Sequence, residues 1–294
     1  FLQEQYPAIP AQNYVLEPEG RGTAAAVGLA AIHLAKRDPE ARMAVLTADH
    51  AIGDTETFRS AIAAAFQVAD AGYLVTLGIH ATEASTQYGY IEAGVQLMEA
   101  GKHLSYQVER FVEKPTREVA EKMLAQGNYS WNSGMFIWRL QDIMAEFQRQ
   151  MPELYAVLEK LAACIGTPDY QASISGLWNG LAKQTLDYGI MEGAKRVAMI
   201  PVEMDWLDIG NFGSLQGLLP GDDSGNKFRG DVLLEDCKGS MVLSTGKRLV
   251  AAIGLQDLVV IDTPEVVLVC PKERAAEVRK LVTKLEESGR NELI

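Results

Sequence analysis

The sequence predicts an α/β protein in which a mainly parallel sheet, covered by helices, is followed by a smaller β-rich domain. Apolar strand-like segments alternate with helix-like segments over the first two hundred residues, and those strands are apolar on both faces. After Pro220, short β-type segments with frequent turns replace this pattern. We therefore place one domain at residues 1–221 and a second at residues 222–294, with the turn-rich sequence GDDSGN (221–226) at the boundary.

Composition narrows the class of protein. The chain has 294 residues, of which 48% are hydrophobic and 22% are charged, and its net charge is −12. These values exclude disordered, collagen-like and coiled-coil chains. A chain with this negative charge is poorly suited to attract nucleic acid or an anionic membrane. Its longest apolar stretch is about half of the ~20 residues that a membrane span needs. Three widely spaced cysteines form no disulfide framework or zinc motif and favour a cytoplasmic location.

Periodicity and turn residues define the individual elements. The segments expected to form strands in the first domain are 14–16, 43–46, 73–77, 106–112, 134–138 and 197–201. Helices are expected at 24–36 with Thr23 as the N-cap, around 61–69, at 116–126 and at 143–161. The second domain is expected to contain strands at 231–234, 240–243, 249–253, 258–261 and 266–269, and a helix at 273–287 with an apolar stripe on one side.

Polar clusters lie where the predicted strands end. Ligands of open α/β sheets bind beyond the carboxyl ends of the strands, so we expect the functional site among these clusters. The stretches concerned are EPEGRGTAA (17–25), LTADHAI (46–52), TQYGYIE (86–92), RFVEKP (110–115), YSWNSGMF (129–136), LDYGIMEGA (186–194) and WLDIGN (206–211).

In this order, the seven stretches resemble the sugar-phosphate nucleotidyltransferases, and most closely the mannose-1-phosphate guanylyltransferases. The sequence IGLQDLVVIDT (253–263) is similar to the short β-helix-like domain of that family, which ends in a helix. The resemblance implies a Rossmann-like nucleotidyltransferase domain. It also implies a cytoplasmic homodimer that converts mannose 1-phosphate and GTP into GDP-mannose and pyrophosphate, without a covalent enzyme intermediate.

The resemblance also assigns residue roles. Asp49 and Asp208 match the two carboxylates that hold Mg²⁺, and with Lys114, which suits the sugar phosphate, they form the catalytic set. Residues that match the substrate-binding positions are Glu17, Arg21 and Thr23 on the nucleotide side, and Gly89, Glu113 and Asn132 on the sugar side. Each has a structural alternative, such as a turn aspartate or a solvated lysine, and only their joint order favours function.

The chain departs from the family pattern in two ways. The pattern includes a glycine-rich loop with an arginine and a Pro-Lys pair, which this sequence lacks. We therefore expect residues 1–294 to be part of a longer enzyme and to be inactive alone. Gly22 also stands where an asparagine is usual. Two alternatives stay open: a related transferase of other nucleotide or sugar specificity, and a non-catalytic regulatory homologue that senses nucleotide sugars.

Overall fold

The computed structural model describes residues 2–210 and 215–293. The chain divides into two units, which are treated separately below. The first contains Phe1–Ala48 and Ile52–Asp205, and the second contains Asp49–Ala51 and Trp206–Ile294. Asn211, which ends the seventh sequence stretch, lies outside the described residues.

The first unit is built from alternating helices and strands. Its elements are α1 (Leu2–Gln5), α2 (Thr23–Arg37), β1 (Arg42–Val45), α3 (Thr55–Asp70), β3 (Leu74–His80), β4 (Tyr90–Ala100), β5 (His103–Val112), α4 (Arg117–Gln126), β6 (Tyr129–Arg139), α5 (Leu140–Gln150), α6 (Pro152–Cys164), α7 (Tyr170–Trp178), α8 (Leu186–Gly189) and β7 (Val197–Val202). Between β1 and α3 in the sequence lies β2 (His50–Ile52), most of which belongs to the second unit. The α/β class is confirmed.

The central sheet has six strands in the order β1-β6-β3-β7-β5-β4, and β4 also pairs with β6. Among the described pairings only β3 with β7 is parallel, so the sheet is mixed and the expectation of a mainly parallel sheet is wrong. The hairpin between β4 and β5 turns at Gly101, whose φ of 60° suits a tight reversal. Strand β6 runs antiparallel to each of its three neighbours.

Helices pack tightly on this sheet. The core contains the fully buried side chains of Trp138, Phe147 and Trp178. Helix α2 approaches α6 so closely that a Cβ at Gly28 would collide with the Leu158 side chain. The core thus fixes the N-terminal end of α2, which follows the first polar cluster.

Three sequence expectations need local correction. Residues 14–16 form no strand, because the Tyr14 N–H donates to Ala11 and the segment joins none of the described sheets. The helix expected at 143–161 is two helices, since Pro152 cannot continue α5 and instead begins α6. Helix α2 has Gly22 as its N-cap and no side-chain cap, so the expectation that Thr23 caps it is wrong.

The second unit is a coil of short strands. Its elements are β8 (Trp206–Asp208), β9 (Lys227–Arg229), β10 (Val232–Glu235), β11 (Met241–Ser244), β12 (Val250–Ile253), β13 (Leu258–Asp262), β14 (Val267–Pro271) and α9 (Val278–Glu287). Strands two apart in the sequence pair in parallel, β9 with β11, β11 with β13, and β10 with β12. This is the predicted β-helix-like arrangement, and a 3-10 turn precedes the terminal helix.

One corner of the coil is a column of aligned residues. The register of β9, β11 and β13, extended by two residues, aligns Gly225, Gly239 and Asp257, whose φ values of 75°, 63° and 50° are all left-handed. Beside them Ser240 donates its N–H to the Asn226 side chain, and Leu258 donates its N–H to the Ser240 hydroxyl. Each turn of the coil is therefore hydrogen-bonded to the next. Among the described residues, no helix is both long and apolar enough to cross a membrane.

Candidate active site

Three of the predicted sugar-side residues lie together in the first unit. Strand β4 pairs with both β5 and β6, so Gly89 before β4, Glu113 after β5 and Asn132 within β6 are neighbours. The Asn132 N–H donates to the Gly89 carbonyl at 2.8 Å. A Cβ at Gly89 would collide with the Glu113 carboxylate and would lie 3.5 Å from the Asn132 Cβ. Gly89 is thus required for the close approach of the two side chains.

The Asn132 side chain is oriented by three hydrogen bonds. Its Oδ1 accepts from the Gly134 N–H at 3.1 Å and from the Thr76 hydroxyl at 3.4 Å. Its Nδ2 donates to Asp187 Oδ1 at 2.7 Å. Asp187 was not among the predicted site residues, although it belongs to a stretch that carried the family resemblance, and that stretch was the available signal.

Lys114 has a strained backbone. Its φ is 43°, a left-handed value that is uncommon for a residue other than glycine, and Pro115 follows it. The Nζ lies 3.3 Å from Glu113 Oε1, and the side chain is largely exposed. Such an exposed pair contributes little to stability and does not account for the strained backbone.

The surroundings of Lys114 are acidic. Partial burial, assisted by the charges of Asp187 and Glu113, raises the pKa of Glu192 above its ordinary value. The pKa of Tyr188 is also raised, first by burial and then by the charge of Glu113, while Lys114 opposes the shift. Carboxylates accept hydrogen bonds from hydroxyl groups, so this region suits a polyhydroxylated ligand with a phosphate near the lysine.

The predicted nucleotide-side residues form a second group. The Arg21 N–H points to Glu17 Oε1 at 3.5 Å, and its guanidinium donates to Glu19 at 2.7 Å and to the Leu181 carbonyl at 3.2 Å. Thr23, instead of capping α2, accepts a hydrogen bond from the Leu186 N–H at 2.8 Å. Both residues therefore bind the chain segment around residue 184.

Gly22 permits this attachment. Gln184 donates its N–H to the Arg21 carbonyl and accepts one from the Ala24 N–H, at 3.1 and 3.2 Å. Gly22 has φ 87° and ψ 168°, a conformation essentially restricted to glycine, and a Cβ there would collide with the Gln184 carbonyl. Residues 184–188 consequently connect the nucleotide-side group to Asn132 through Asp187.

The two predicted metal ligands lie in the second unit. Asp49 precedes β2 and Asp208 is the last residue of β8, and these two strands pair. The Ile209 N–H donates to the Asp49 carbonyl at 2.9 Å. Between them, the Trp206 Nε1–H donates to His50 Nδ1 at 3.0 Å. Burial lowers the pKa of His50, and the charges of Asp208 and Asp49 both oppose this shift. Both carboxylates therefore act electrostatically on His50, whose Nδ1 accepts the hydrogen bond from Trp206.

Both parts of the chain match known protein families. A family model for nucleotidyl transferases matches residues 2–219, and one for the MannoseP isomerase/GMP-like beta-helix domain matches residues 230–285. The chain is 37% identical to mannose-1-phosphate guanylyltransferase of Klebsiella pneumoniae over 284 residues, which is 95% of this chain and 59% of that protein. It is 34% identical to the xanthan biosynthesis protein XanB of Xanthomonas campestris pv. campestris over 99% of this chain and 61% of that protein.

A solved structure supports the same grouping. The structure described as mannose-1-phosphate geranyltransferase from Thermus thermophilus superimposes with a TM-score of 0.80 at 36% identity, covering 92% of this chain and 77% of that one. The chain spans about three fifths of the length of the curated relatives that it matches.

Proposed function

The chain belongs to the nucleotidyl transferase family, and from this premise we propose that it transfers a guanylyl group from GTP to mannose 1-phosphate, giving GDP-mannose and pyrophosphate. The observation that carries the proposal is the grouping of Glu113 and Asn132 around Gly89, with Lys114 adjacent. It provides a carboxylate, an amide and a cation for a sugar phosphate. The relative from Klebsiella pneumoniae bears the name of this activity.

In this reaction a phosphate oxygen of mannose 1-phosphate attacks the α-phosphorus of GTP, and the bond to pyrophosphate breaks. Glu113 accepts a hydrogen bond from a sugar hydroxyl, Lys114 binds the sugar phosphate, and Arg21, Thr23 and Glu17 lie on the nucleotide side. Transfer of this type depends on alignment and charge neutralisation more than on an activated side chain. No residue of this set therefore needs to act as a nucleophile.

We propose that Asp49 and Asp208 hold a divalent cation, and that this cation is Mg²⁺. Mg²⁺ takes few protein oxygens and completes its coordination with phosphates and water, and two carboxylates meet that need. Within residues 2–210 and 215–293 no group of three or more His, Cys, Asp or Glu side chains could hold a metal. When bound, the cation would neutralise phosphate charge.

The test of the proposal is an assay of GDP-mannose and pyrophosphate formation by the full-length protein. We expect Asp208→Asn and Asp49→Asn each to lose about 4 kcal/mol of transition-state stabilisation, roughly a thousandfold in rate. Asp223→Asn, a change at an exposed turn carboxylate, is the matched control and should retain full activity. Wild-type protein that binds GDP-mannose and forms no product would instead be a regulatory homologue.

We also propose that two copies associate through the terminal helix. Leu281 is about half exposed, and beside Leu285 and Val267 it lines an apolar groove of about 690 Å³ in the second unit. Burial of such a face contributes about 25 cal/mol per Å². Leu281→Glu with Leu285→Glu should therefore yield a monomer in light scattering, whereas Thr283→Glu on the same helix should not. An unchanged mass in the double variant would contradict the dimer.

We further propose that the boundary between the two domains lies at residue 222 and that the protein is cytoplasmic.

A further inference from the structure

The Oδ1 atom of Asn132 already accepts two hydrogen bonds, from the Gly134 N–H and from the Thr76 hydroxyl. Gly134 N–H is a donor, so the atom facing it must be Oδ1, and the Asp187 carboxylate is an acceptor, so the atom facing it must be Nδ2. The side-chain orientation is therefore fixed from both ends. In the part of the chain that the structure describes, the second hydrogen on Nδ2 has no partner. Asn132 can offer a ligand only a donor.

Asp187 comes from a different part of the chain and is held independently. The preceding residue donates its N–H to Thr23, and Thr185 caps α8 by accepting from the Tyr188 N–H. The main chain at residue 184 is hydrogen-bonded on both sides of Gly22. The position of Asp187 is thus set by the nucleotide-side turn, and not by strand β6.

Asp187 lies close to other carboxylates. Its charge acts on Glu192, whose pKa it helps to raise together with Glu113. A carboxylate that only packed the fold could be replaced by a neutral group without this repulsion. The 2.7 Å bond to Asn132 is the interaction that accounts for an acceptor at this place.

We infer that Asp187 is a positioning residue that holds the Asn132 amide so that its free N–H faces the sugar phosphate. This inference rests on the proposed function. Asn132 then donates to a substrate oxygen, while the neighbouring Glu113 accepts from a substrate hydroxyl, so the site presents a donor and an acceptor side by side. Without Asp187 the amide is held only by the two hydrogen bonds at Oδ1, and its free N–H is positioned less firmly.

Three variants test the inference in the full-length protein. Asp187→Ala should raise the KM for mannose 1-phosphate about tenfold, because the charge-assisted hydrogen bond from Asn132 to the substrate is lost. The KM for GTP should stay within about twofold of the wild-type value. Asp187→Asn keeps an oxygen that accepts from Nδ2 and should restore the KM to within about threefold of wild type. Asp169→Asn changes an exposed carboxylate of the same unit that makes no side-chain cap to its helix, and it should behave as wild type. An unchanged KM in Asp187→Ala, or equal defects in Asp187→Ala and Asp187→Asn, overturns the inference.

A second measurement does not depend on activity. In ¹⁵N-edited NMR spectra of the protein without ligands, the Asn132 side-chain N–H signal should move in Asp187→Ala and stay near its wild-type position in Asp187→Asn. If wild-type protein makes no GDP-mannose, the proposed function fails, and this spectrum still decides whether Asp187 orients Asn132. A spectrum unchanged by Asp187→Ala rejects the positioning role.

Discussion

Two asparagines, one in each unit, use the same amide group differently. Asn226 is 1% exposed, and its Oδ1 accepts from Ser240 while its Nδ2 donates to both Asp222 and the Cys237 carbonyl. Asn132 is partly buried and uses one of its two Nδ2 hydrogens on Asp187. A fully bonded amide stabilises the coil, whereas the spare N–H of a partly buried amide is available to a ligand. The number of hydrogen bonds that an asparagine amide makes therefore distinguishes a structural asparagine from one that can bind a ligand.

The largest expected effect on stability or KM comes from replacing Asn226 and Asn132 separately by alanine. Asn226→Ala leaves the Ser240 N–H and the Cys237 carbonyl unsatisfied and should lower the free energy of unfolding by about 3 kcal/mol, with no change in KM. Asn132→Ala should do the reverse, raising the KM for mannose 1-phosphate with a stability loss of about 1 kcal/mol. Urea unfolding and steady-state kinetics on both variants would decide. Equal losses of stability in the two variants would contradict the different roles assigned to Asn226 and Asn132.

A smaller effect is expected at Gly22, which places the segment that carries Asp187. Gly22→Asn, which introduces the residue usual in the family, forces a side chain into a glycine-only conformation against the Gln184 carbonyl and should lower stability by about 2 kcal/mol. It should also raise the KM for mannose 1-phosphate, because Asp187 shifts with residue 184. Gly20→Ala is the matched control, since a Cβ at Gly20 meets no atom within 4 Å. Similar losses in both variants would contradict the role of Gly22.

The smallest expected effect is a difference in how stability depends on pH, between a carboxylate of the second unit, Asp262, and one of the first unit, Glu192. The hydrogen bond from Arg248 holds the pKa of Asp262 below its ordinary 3.8, so its contribution to stability is present above that pH and is lost as pH falls through the folded pKa. The pKa of Glu192 is raised above 4.5, so its ionised form weakens the fold at neutral pH and protonation relieves this as pH falls.

Urea unfolding midpoints measured between about pH 3 and pH 7 would show that Asp262 and Glu192 affect stability in opposite directions. This range extends from about one unit below to a few units above ordinary carboxyl pKa values. Asp262→Asn should destabilise the protein at pH 7 and much less at pH 3. Glu192→Gln should stabilise it slightly at pH 7 and have no effect at pH 3. The same sign for both variants at pH 7 would refute this distinction.

The sequence predicted the elements with strong local signals and missed those set by distant contacts. The strands of the coil are separated by glycine and aspartate turns, and β10 to β14 were each predicted to within about two residues, whereas β9 was missed. Strand β4 lacks a clean alternation and was missed, and the antiparallel course of β6 depends on partners far along the chain. Pairing of this kind has no local signature.

The candidate site shows the same division. The motifs pointed to Gly89, Glu113 and Asn132, and the structure brings these together. The bond from Asn132 to Asp187 joins residues 55 positions apart, and its partner could not be inferred from spacing. The role of Thr23 was missed for the same reason, because the Leu186 N–H that it accepts from is 163 residues away.

The left-handed corner formed by Gly225, Gly239 and Asp257 limits how the second unit can change in length during evolution. Side chains alternate inward and outward along a strand, so one residue inserted at this corner would turn the next strand over. Met241 and Val259, both buried, would then face solvent. Insertions and deletions are therefore excluded at the corner, and the unit can gain or lose chain there only as a whole turn of the coil.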